Sequence, residues 1–218
     1  TENGYWEAPE TIPAYTAQEK IRIVYIGAIS ATQGVDILAR AAQRLMRDRP
    51  SVGERLEIVI YGPDTPHRRA TLSGSLPACV TYGGYLPAQE VGVKLLSTDV
   101  AFLSLSSDRY AYAVPGKLYD YIAHGRPVLA SLPQGTAQRL IESQALGWTT
   151  GVGDVAALAQ QLDRVCDPAE RSRVHGQVMA VREQHAACAV ADGVHGWVGR
   201  LLLRVDAHEP VVVQLDAR

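Results

Sequence analysis

The chain has 218 residues, of which 47% are apolar and 20% are charged, and its formal net charge is −2 at pH 7. This length suits one large or two small domains with a sizeable buried core, and the near-neutral charge gives no reason to expect a nucleic-acid partner. No apolar run reaches the roughly 18 residues that a membrane span needs, and the amino terminus lacks the pattern of a signal peptide. We therefore expect a cytoplasmic protein whose three scattered cysteines are reduced and structural: Cys79, Cys166 and Cys188.

Residues 1–20 contain Pro and Gly turns without an apolar period, which predicts a linker or lead-in. After them, short apolar runs alternate with patterns of helical spacing. The predicted strands cover residues 21–28, 56–62, 80–86, 100–106, 127–132 and 147–152. The predicted helices cover residues 35–48, 88–99, 117–124, 135–145, 154–167, 168–184 and 192–205. Residues 63–76 are predicted to form a loop with at most a weak helix, and the tail at 209–218 an edge strand.

Alternating strands and helices predict an α/β fold with one doubly wound, parallel, Rossmann-like sheet and right-handed crossovers. Such a sheet binds ligands at the carboxyl ends of its strands, so the loops that follow the strands are the candidate sites. The first loop, residues 27–34, matches neither GxGxxG nor the P-loop, although the next helix can receive a phosphate on its amides. The loop at 83–87 can place backbone against a flat base or form only a tight turn. The loop at 106–116 is long, polar and aromatic, as functional loops often are.

The most informative stretch is VPGKLYDYIAHGRPVLA, residues 114–130. It predicts a turn, a short helix, a glycine stop and a buried strand. Lys117, Asp120 and His124 are spaced to share one polar face of that helix. The free N–H groups of a helix start, a cation and a carboxylate together suit a ligand that carries phosphates and hydroxyls. The same spacing also fits an ion-paired surface helix without a function.

Several common catalytic motifs do not occur in the sequence. There is no DxD pair to hold a divalent metal on a diphosphate, and no HExxH motif or Cys/His cluster for zinc. There is also no GxSxG nucleophile elbow. The sequence therefore predicts no metal and no other cofactor.

Taken together, these motifs resemble the C-terminal, donor-binding half of retaining GT-B glycosyltransferases, the group 1 class that includes many bacterial polysaccharide enzymes. Residues 21–45 resemble the first strand, phosphate loop and helix of that family, and residues 80–106 its base loop and following strand. Residues 114–130 resemble the family pattern vPsKlyEYmaaGkPVla most specifically. Asn3-Gly4 is similar to the start of the signature that opens the interdomain linker. The resemblance covers nearly the whole chain.

The resemblance implies a role for each candidate site residue. Lys117 would be the catalytic residue and, with the Gly116 amide, would face the donor diphosphate. Asp120 stands where the family places a Glu on the ribose hydroxyls, and Tyr85 and Leu86 would lie by the base. The other implied donor-binding residues lie in the first and fourth loops: Gly27, Ala28, Gln33, Gly34 and Arg109.

The chain also departs from the family pattern. Ala28 and Gln33 stand where many members carry a basic pair that binds the diphosphate. Tyr112 and Asp120 stand where the family has two glutamates eight positions apart. More of the phosphate binding is therefore expected to fall on Lys117 and on backbone amides, with Arg109 as a further cation.

The chain starts at Thr1 with linker-like residues, so we expect the N-terminal, acceptor-binding domain to be missing. The implied division is a linker at 1–20, a donor-binding domain at 21–170 and packing helices with a tail at 171–218. The full-length protein would transfer a sugar, with retention and without a metal, from a UDP-, GDP- or ADP-sugar to a polysaccharide or lipid-linked acceptor. The fragment alone would bind donor weakly without turnover, and any peripheral membrane association would run through the missing half. The alternatives are an inverting GT-B enzyme, a sugar-nucleotide 2-epimerase, a degenerate donor domain kept as a scaffold, and a stand-alone non-enzymatic α/β module.

Overall fold

The computed structural model describes residue 9 and residues 11–191, with side chains up to residue 184. Within these residues six strands form one sheet: β1 (Ile21–Ile26), β2 (Leu56–Tyr61), β3 (Val80–Gly84), β4 (Val100–Ser104), β5 (Val128–Ser131) and β6 (Gly147–Thr150). The helices of the described part are α1 (Asp36–Asp48), α2 (Pro50–Gly53), α3 (Pro66–Thr71), α4 (Ala88–Leu96), α5 (Gly116–Ala123), α6 (Thr136–Ser143), α7 (Val155–Val165) and α8 (Pro168–Ala191).

All strand pairs of the sheet are parallel, and the strand order is β3-β2-β1-β4-β5-β6. The predicted doubly wound α/β sheet is therefore confirmed, with its six strands. Helices flank the sheet, and every residue of β4 and β5 is buried, whereas β1 and β2 each expose one charged residue, Arg22 and Glu57. The direction of winding reverses between β1 and β4. The loops that follow these two strands therefore open the crevice where sheets of this kind bind ligands.

Three helices differ from the sequence prediction. A regular helix, α3, forms where the sequence predicts at most a weak one, because the Thr65 side chain accepts the Arg68 N–H at 3.1 Å and Pro66 occupies the first turn. The single turn α2 is not predicted, and α8 continues past residue 184 to Ala191. The predicted helix at 192–205 and strand at 209–218 lie outside the described residues.

The lead-in segment at 11–18 has neither helix nor strand and is fixed to α8. The guanidinium of Arg171, which is 1% exposed, donates to the Tyr15 hydroxyl at 3.1 Å and to the Gln18 carbonyl at 3.0 Å. The same guanidinium donates to the carbonyl of Val165 at the end of α7 at 2.6 Å. The predicted domain boundaries at residues 20 and 170 stay predictions, and α8 runs across the second of them.

Candidate functional site

Three glycines join the carboxyl ends of β1, β2 and β3 into one close-packed edge. The Gly27 amide donates to the Tyr61 carbonyl at 3.1 Å, and the Gly62 amide donates to the Gly84 carbonyl at 2.9 Å. A Cβ atom on Gly62 would lie 2.4 Å from the Gly27 carbonyl oxygen, so a larger residue cannot stand there without moving β1. The Tyr82 hydroxyl donates to the Gly62 carbonyl at 2.8 Å and supports the same edge.

The first loop, which follows β1, is held by its own hydrogen bonds. The amides of Gln33 and Gly34 both donate to the Ser30 carbonyl, at 3.1 and 3.2 Å, and the Ser30 hydroxyl donates to the Gln33 side-chain oxygen. The Gly27 amide likewise donates to a carbonyl of β2, that of Tyr61. Gly27, Gln33 and Gly34, predicted to bind the donor, therefore shape the loop, and their amides are already engaged inside the protein.

The first loop packs against the loop that follows β4. The Ser106 amide donates to the Thr32 carbonyl at 2.8 Å, and the Ser106 hydroxyl donates to the Ala31 carbonyl. The Thr32 and Tyr110 hydroxyls lie 3.3 Å apart. These contacts fix the two walls of the crevice relative to each other. Sequence reasoning did not identify Thr32, Ser106 or Tyr110, because their pairing depends on the strand order.

Lys117 reaches from the first turn of α5 into this crevice. Its ammonium group donates to the Tyr25 hydroxyl at 3.1 Å and lies 4.3 Å from the centre of the Tyr25 ring. It occupies the space above Gly27, where an added Cβ atom would come within 2.6 Å of Nζ. The structure therefore brings together two predicted site residues, Gly27 and Lys117, from opposite sides of the switch point. The third partner, Tyr25, was not predicted, and its only signal in the sequence is a hydroxyl-bearing aromatic within a β-branched strand.

Burial controls the charge of this lysine. Desolvation lowers the pKa of Lys117 from 10.5 to about 8, and the negative charge of Asp120 opposes that effect. At neutral pH the amine is therefore still largely protonated. Desolvation also raises the pKa of the fully buried Tyr25 well above its ordinary value, so this hydroxyl stays neutral.

The start of α5 has no side-chain cap, and of its first-turn amides that of Leu118 donates to the Pro115 carbonyl at 2.9 Å. Pro115 stands at the N-cap position and has no side-chain acceptor to offer. Gly116 is exposed, and a Cβ atom there would meet nothing within 4 Å. Asp120 follows one turn after Lys117 and is partly buried. The helix start, the ammonium and the carboxylate therefore lie on the same side of α5's first two turns.

The prediction that His124 shares this face is wrong. His124 is 2% exposed, and its Nδ1 lies 2.7 Å from the Asp120 carbonyl. It stands at the C-cap of α5, on the side of Gly92, whose added Cβ would lie 3.0 Å from the ring. This imidazole therefore belongs to the packing of the helix end.

The remaining predicted residues lie around the crevice. Tyr85 is 68% exposed and Leu86 is half-buried, and both follow the edge strand β3, two strand spacings or roughly 10 Å from β1. Ala28 is exposed, and its carbonyl accepts the Tyr25 hydroxyl. Arg109 is exposed on a single 3₁₀ turn in the loop after β4.

Among the residues that the structure describes, no group of three or more His, Cys, Asp or Glu side chains is arranged to hold a metal ion. None of the helices described is both long and apolar enough to cross a membrane.

Comparison with known proteins places the chain in a family. A family model described as "Glycosyl transferases group 1" matches residues 20–167, which is 148 of the 218 residues. The chain is 33% identical over 91 residues to "Probable glycosyltransferase WbjE" of Pseudomonas aeruginosa, a stretch that covers 41% of this chain and 23% of that protein.

Two solved structures show the same fold. WaaG, "a glycosyltransferase involved in lipopolysaccharide biosynthesis", aligns over 81% of this chain and 48% of its own, with a TM-score of 0.60 and 16% identity. TarM of S. aureus aligns over 80% of this chain and 34% of its own, with a TM-score of 0.56 and 14% identity. The chain thus spans less than half the length of each of these relatives. It belongs to the group 1 glycosyltransferases, and its fold is that of the C-terminal domain of a GT-B enzyme.

Proposed function

We propose that this domain binds the nucleotide-sugar donor of a glycosyltransferase, and that the full-length protein transfers the sugar to a polysaccharide or lipid-linked acceptor. The observation that carries the proposal is the position of Lys117. Its ammonium lies over Gly27 at the switch point of the sheet, next to the amino end of α5, which has no side-chain cap. A cation and free helix-terminal N–H groups at one point are what a diphosphate requires.

The donor would lie along the carboxyl edge of the sheet. In this arrangement Lys117 and the Gly116 amide bind the diphosphate, and Asp120 accepts hydroxyl protons of the ribose. Tyr85, exposed beyond β3, supplies a flat surface for the base, with Leu86 beside it. The internally bonded first loop gives the phosphates a rigid wall.

The reaction follows from this placement. The bond between the anomeric carbon and the diphosphate oxygen breaks, and its electron pair stays on the leaving diphosphate. Lys117 and the amides at the start of α5 stabilise the charge that develops there, which preorganised donors do best. The acceptor hydroxyl oxygen then bonds to the anomeric carbon on the face that the diphosphate left, with retention, and its proton passes to the leaving diphosphate oxygen. The described residues supply positive charge to the leaving group without a metal in this scheme.

The acceptor site belongs to the part of the enzyme that this chain does not span. Because the chain covers less than half of its structural relatives, we propose that the isolated chain binds donor weakly and does not turn over. TarM was crystallised with UDP, which makes UDP the first nucleotide to test, together with GDP and ADP.

Calorimetric titration of the chain with UDP, GDP and ADP tests the proposal. We expect saturable binding of one nucleotide, weakened roughly tenfold or more by Lys117→Ala, because a charge-assisted contact contributes about 1.5–3 kcal/mol. Asp120→Ala should weaken the binding of the nucleoside diphosphate and of its parent nucleoside by the same factor, since Asp120 is assigned to the ribose.

The matched control is Lys20→Ala, which removes the same charge from an exposed lysine just before β1, at the opposite end of the strand from Gly27. Binding that Lys117→Ala and Lys20→Ala weaken equally would reflect net charge and contradict the site. If no nucleotide binds the chain, the same titration on the full-length protein decides whether the missing domain completes the site.

A further inference from the structure

Tyr25 is a buried tyrosine whose hydroxyl has two partners. It lies in β1 with no exposed surface, and its hydroxyl donates to the Ala28 carbonyl at 2.5 Å. A neutral phenol has one proton, so the lone pairs of the same oxygen are left to accept from a donor. Lys117 Nζ, 3.1 Å away, is that donor. The direction of both hydrogen bonds is therefore fixed by the chemistry of the groups.

The ring of Tyr25 adds a second contact. Nζ lies 4.3 Å from the ring centre, within the range of a cation–π interaction, which strengthens where water is excluded. Lysine is a point charge on a flexible four-carbon stem, so its position is set by what surrounds it. Here the hydroxyl and ring of Tyr25 lie against one side of the ammonium. Gly27, which has no side chain, leaves the space that the ammonium occupies.

We propose that Tyr25 is a positioning residue of the donor site, which holds the Lys117 ammonium over Gly27 where the diphosphate binds. The effect of Tyr25 on nucleotide binding rests on the proposed function, whereas its effect on the position and charge of Lys117 rests on the contacts of Tyr25. Tyr25 acts through Lys117 and is not assigned a contact with the donor. It also explains how one lysine from α5 serves a first loop that has Ala28 and Gln33 in place of basic residues.

The proposal predicts that Tyr25 controls the titration of Lys117. The charged groups and hydroxyls that face this amine are Asp120 on its own helix and Tyr25 from β1. A hydroxyl that accepts from the ammonium favours the charged form, so its removal favours the neutral amine. The midpoint, which burial already lowers to about 8, should then fall towards neutral pH and reduce the charge available for a diphosphate.

The experiment is a pH titration of lysine ¹³Cε signals by NMR, without nucleotide, in the wild-type chain and Tyr25→Phe. The chain has three lysines, Lys20, Lys94 and Lys117, so Lys117→Ala assigns the signal of Lys117. We expect Tyr25→Phe to lower the Lys117 midpoint by about 0.5 unit or more and to weaken nucleotide binding at neutral pH roughly fivefold. The pH at which binding declines should fall with the midpoint.

Tyr82→Phe is the matched control, since it removes another tyrosine hydroxyl that donates to a backbone carbonyl at the same sheet edge. It should leave the Lys117 midpoint in place. An unchanged midpoint and unchanged affinity in a folded Tyr25→Phe chain would overturn the proposal, as would an equal change in Tyr82→Phe. If the midpoint moves but Lys117→Ala has no effect on nucleotide binding, the coupling of Tyr25 to Lys117 stands and the proposed donor site fails.

Discussion

Replacing Lys117 by methionine should stabilise the fold and weaken nucleotide binding at the same time. Methionine follows the path of the lysine stem and removes the charge. The Tyr25 hydroxyl loses its donor but still donates to the Ala28 carbonyl, so its proton stays bonded. The substitution therefore takes a charge out of a poorly hydrated place and leaves the neighbouring hydrogen bond intact.

The size of the gain follows from the pKa of the lysine. A pKa lowered from 10.5 to about 8 means that the protonated amine is disfavoured in the native state by roughly 3 kcal/mol. Lys117 keeps partial contact with solvent, and methionine does not fill the place of the ammonium, so the net gain should be smaller. We expect Lys117→Met to raise the free energy of unfolding at neutral pH by about 1–2 kcal/mol.

The assay is urea unfolding at a series of pH values, with Lys20→Met as the control for an exposed lysine. Between about pH 8 and 10.5 the unfolded chain binds more protons at Lys117 than the native chain does, so wild-type stability should rise with pH in that window. The rise should be absent from Lys117→Met and present in Lys20→Met. A destabilised Lys117→Met, or the same alkaline rise in both variants, would refute the reasoning that burial lowers this pKa.

Three further predictions concern Gly27, His175 and Glu170. Gly27→Ala places a Cβ atom 2.6 Å from Lys117 Nζ at a backbone φ of +143°. It should lower the free energy of unfolding in urea by about 1–3 kcal/mol, and it should weaken nucleotide binding because it displaces the amine. Burial lowers the pKa of His175 from 6.5 to about 4, so the free energy of unfolding should fall as the pH drops from 6.5 to 4. His175→Phe keeps the ring stack on Tyr15 and should remove that part of the loss, as measured by thermal unfolding at acid pH. The hydrogen bond from Arg173 holds the pKa of Glu170 at about 2, against an ordinary 4.5, so Glu170→Gln should lower stability at neutral pH by about 1 kcal/mol, a difference that disappears as the pH falls towards 2. An acid profile of either variant identical to that of the wild type would contradict the corresponding assignment.

The sheet could be predicted from the sequence because most of its strands are rich in buried apolar residues. The run at 100–103 is continuously apolar and that at 21–26 is interrupted only by Arg22, and helical spacing separates such runs, which favours a parallel sheet. The α3 helix was predicted at most as a weak one because its six residues have no buried face, and a cap and a first-turn proline determine it. Short helices of this kind carry no apolar period for a sequence reading to detect.

The sequence predicted the relative placement of candidate site residues only where they lie close together along the chain. Lys117 and Asp120 lie three residues apart on one helix, so their shared face follows from helical geometry. His124 satisfies the same rule of spacing but lies seven residues along, roughly 10 Å down the axis, where the helix ends inside the protein. The Arg182 guanidinium donates to the Ala123 carbonyl at 2.9 Å and helps close that end with α8. Helical spacing alone did not show that the imidazole is covered there and kept off the polar face of Lys117 and Asp120.

Tyr25 marks the limit of that approach, since its role depends on contacts between residues 92 positions apart. The strand order places β1 beside β4, and the chain after β4 then returns the start of α5 to the end of β1. Only in that arrangement does a lysine on α5 meet Tyr25 above a residue that must be glycine. The first loop can then lack its own cations, because the ammonium arrives from the other wall of the crevice. The burial that fixes this amine also lowers its pKa, so the same contact that positions the charge limits the pH range in which the charge exists.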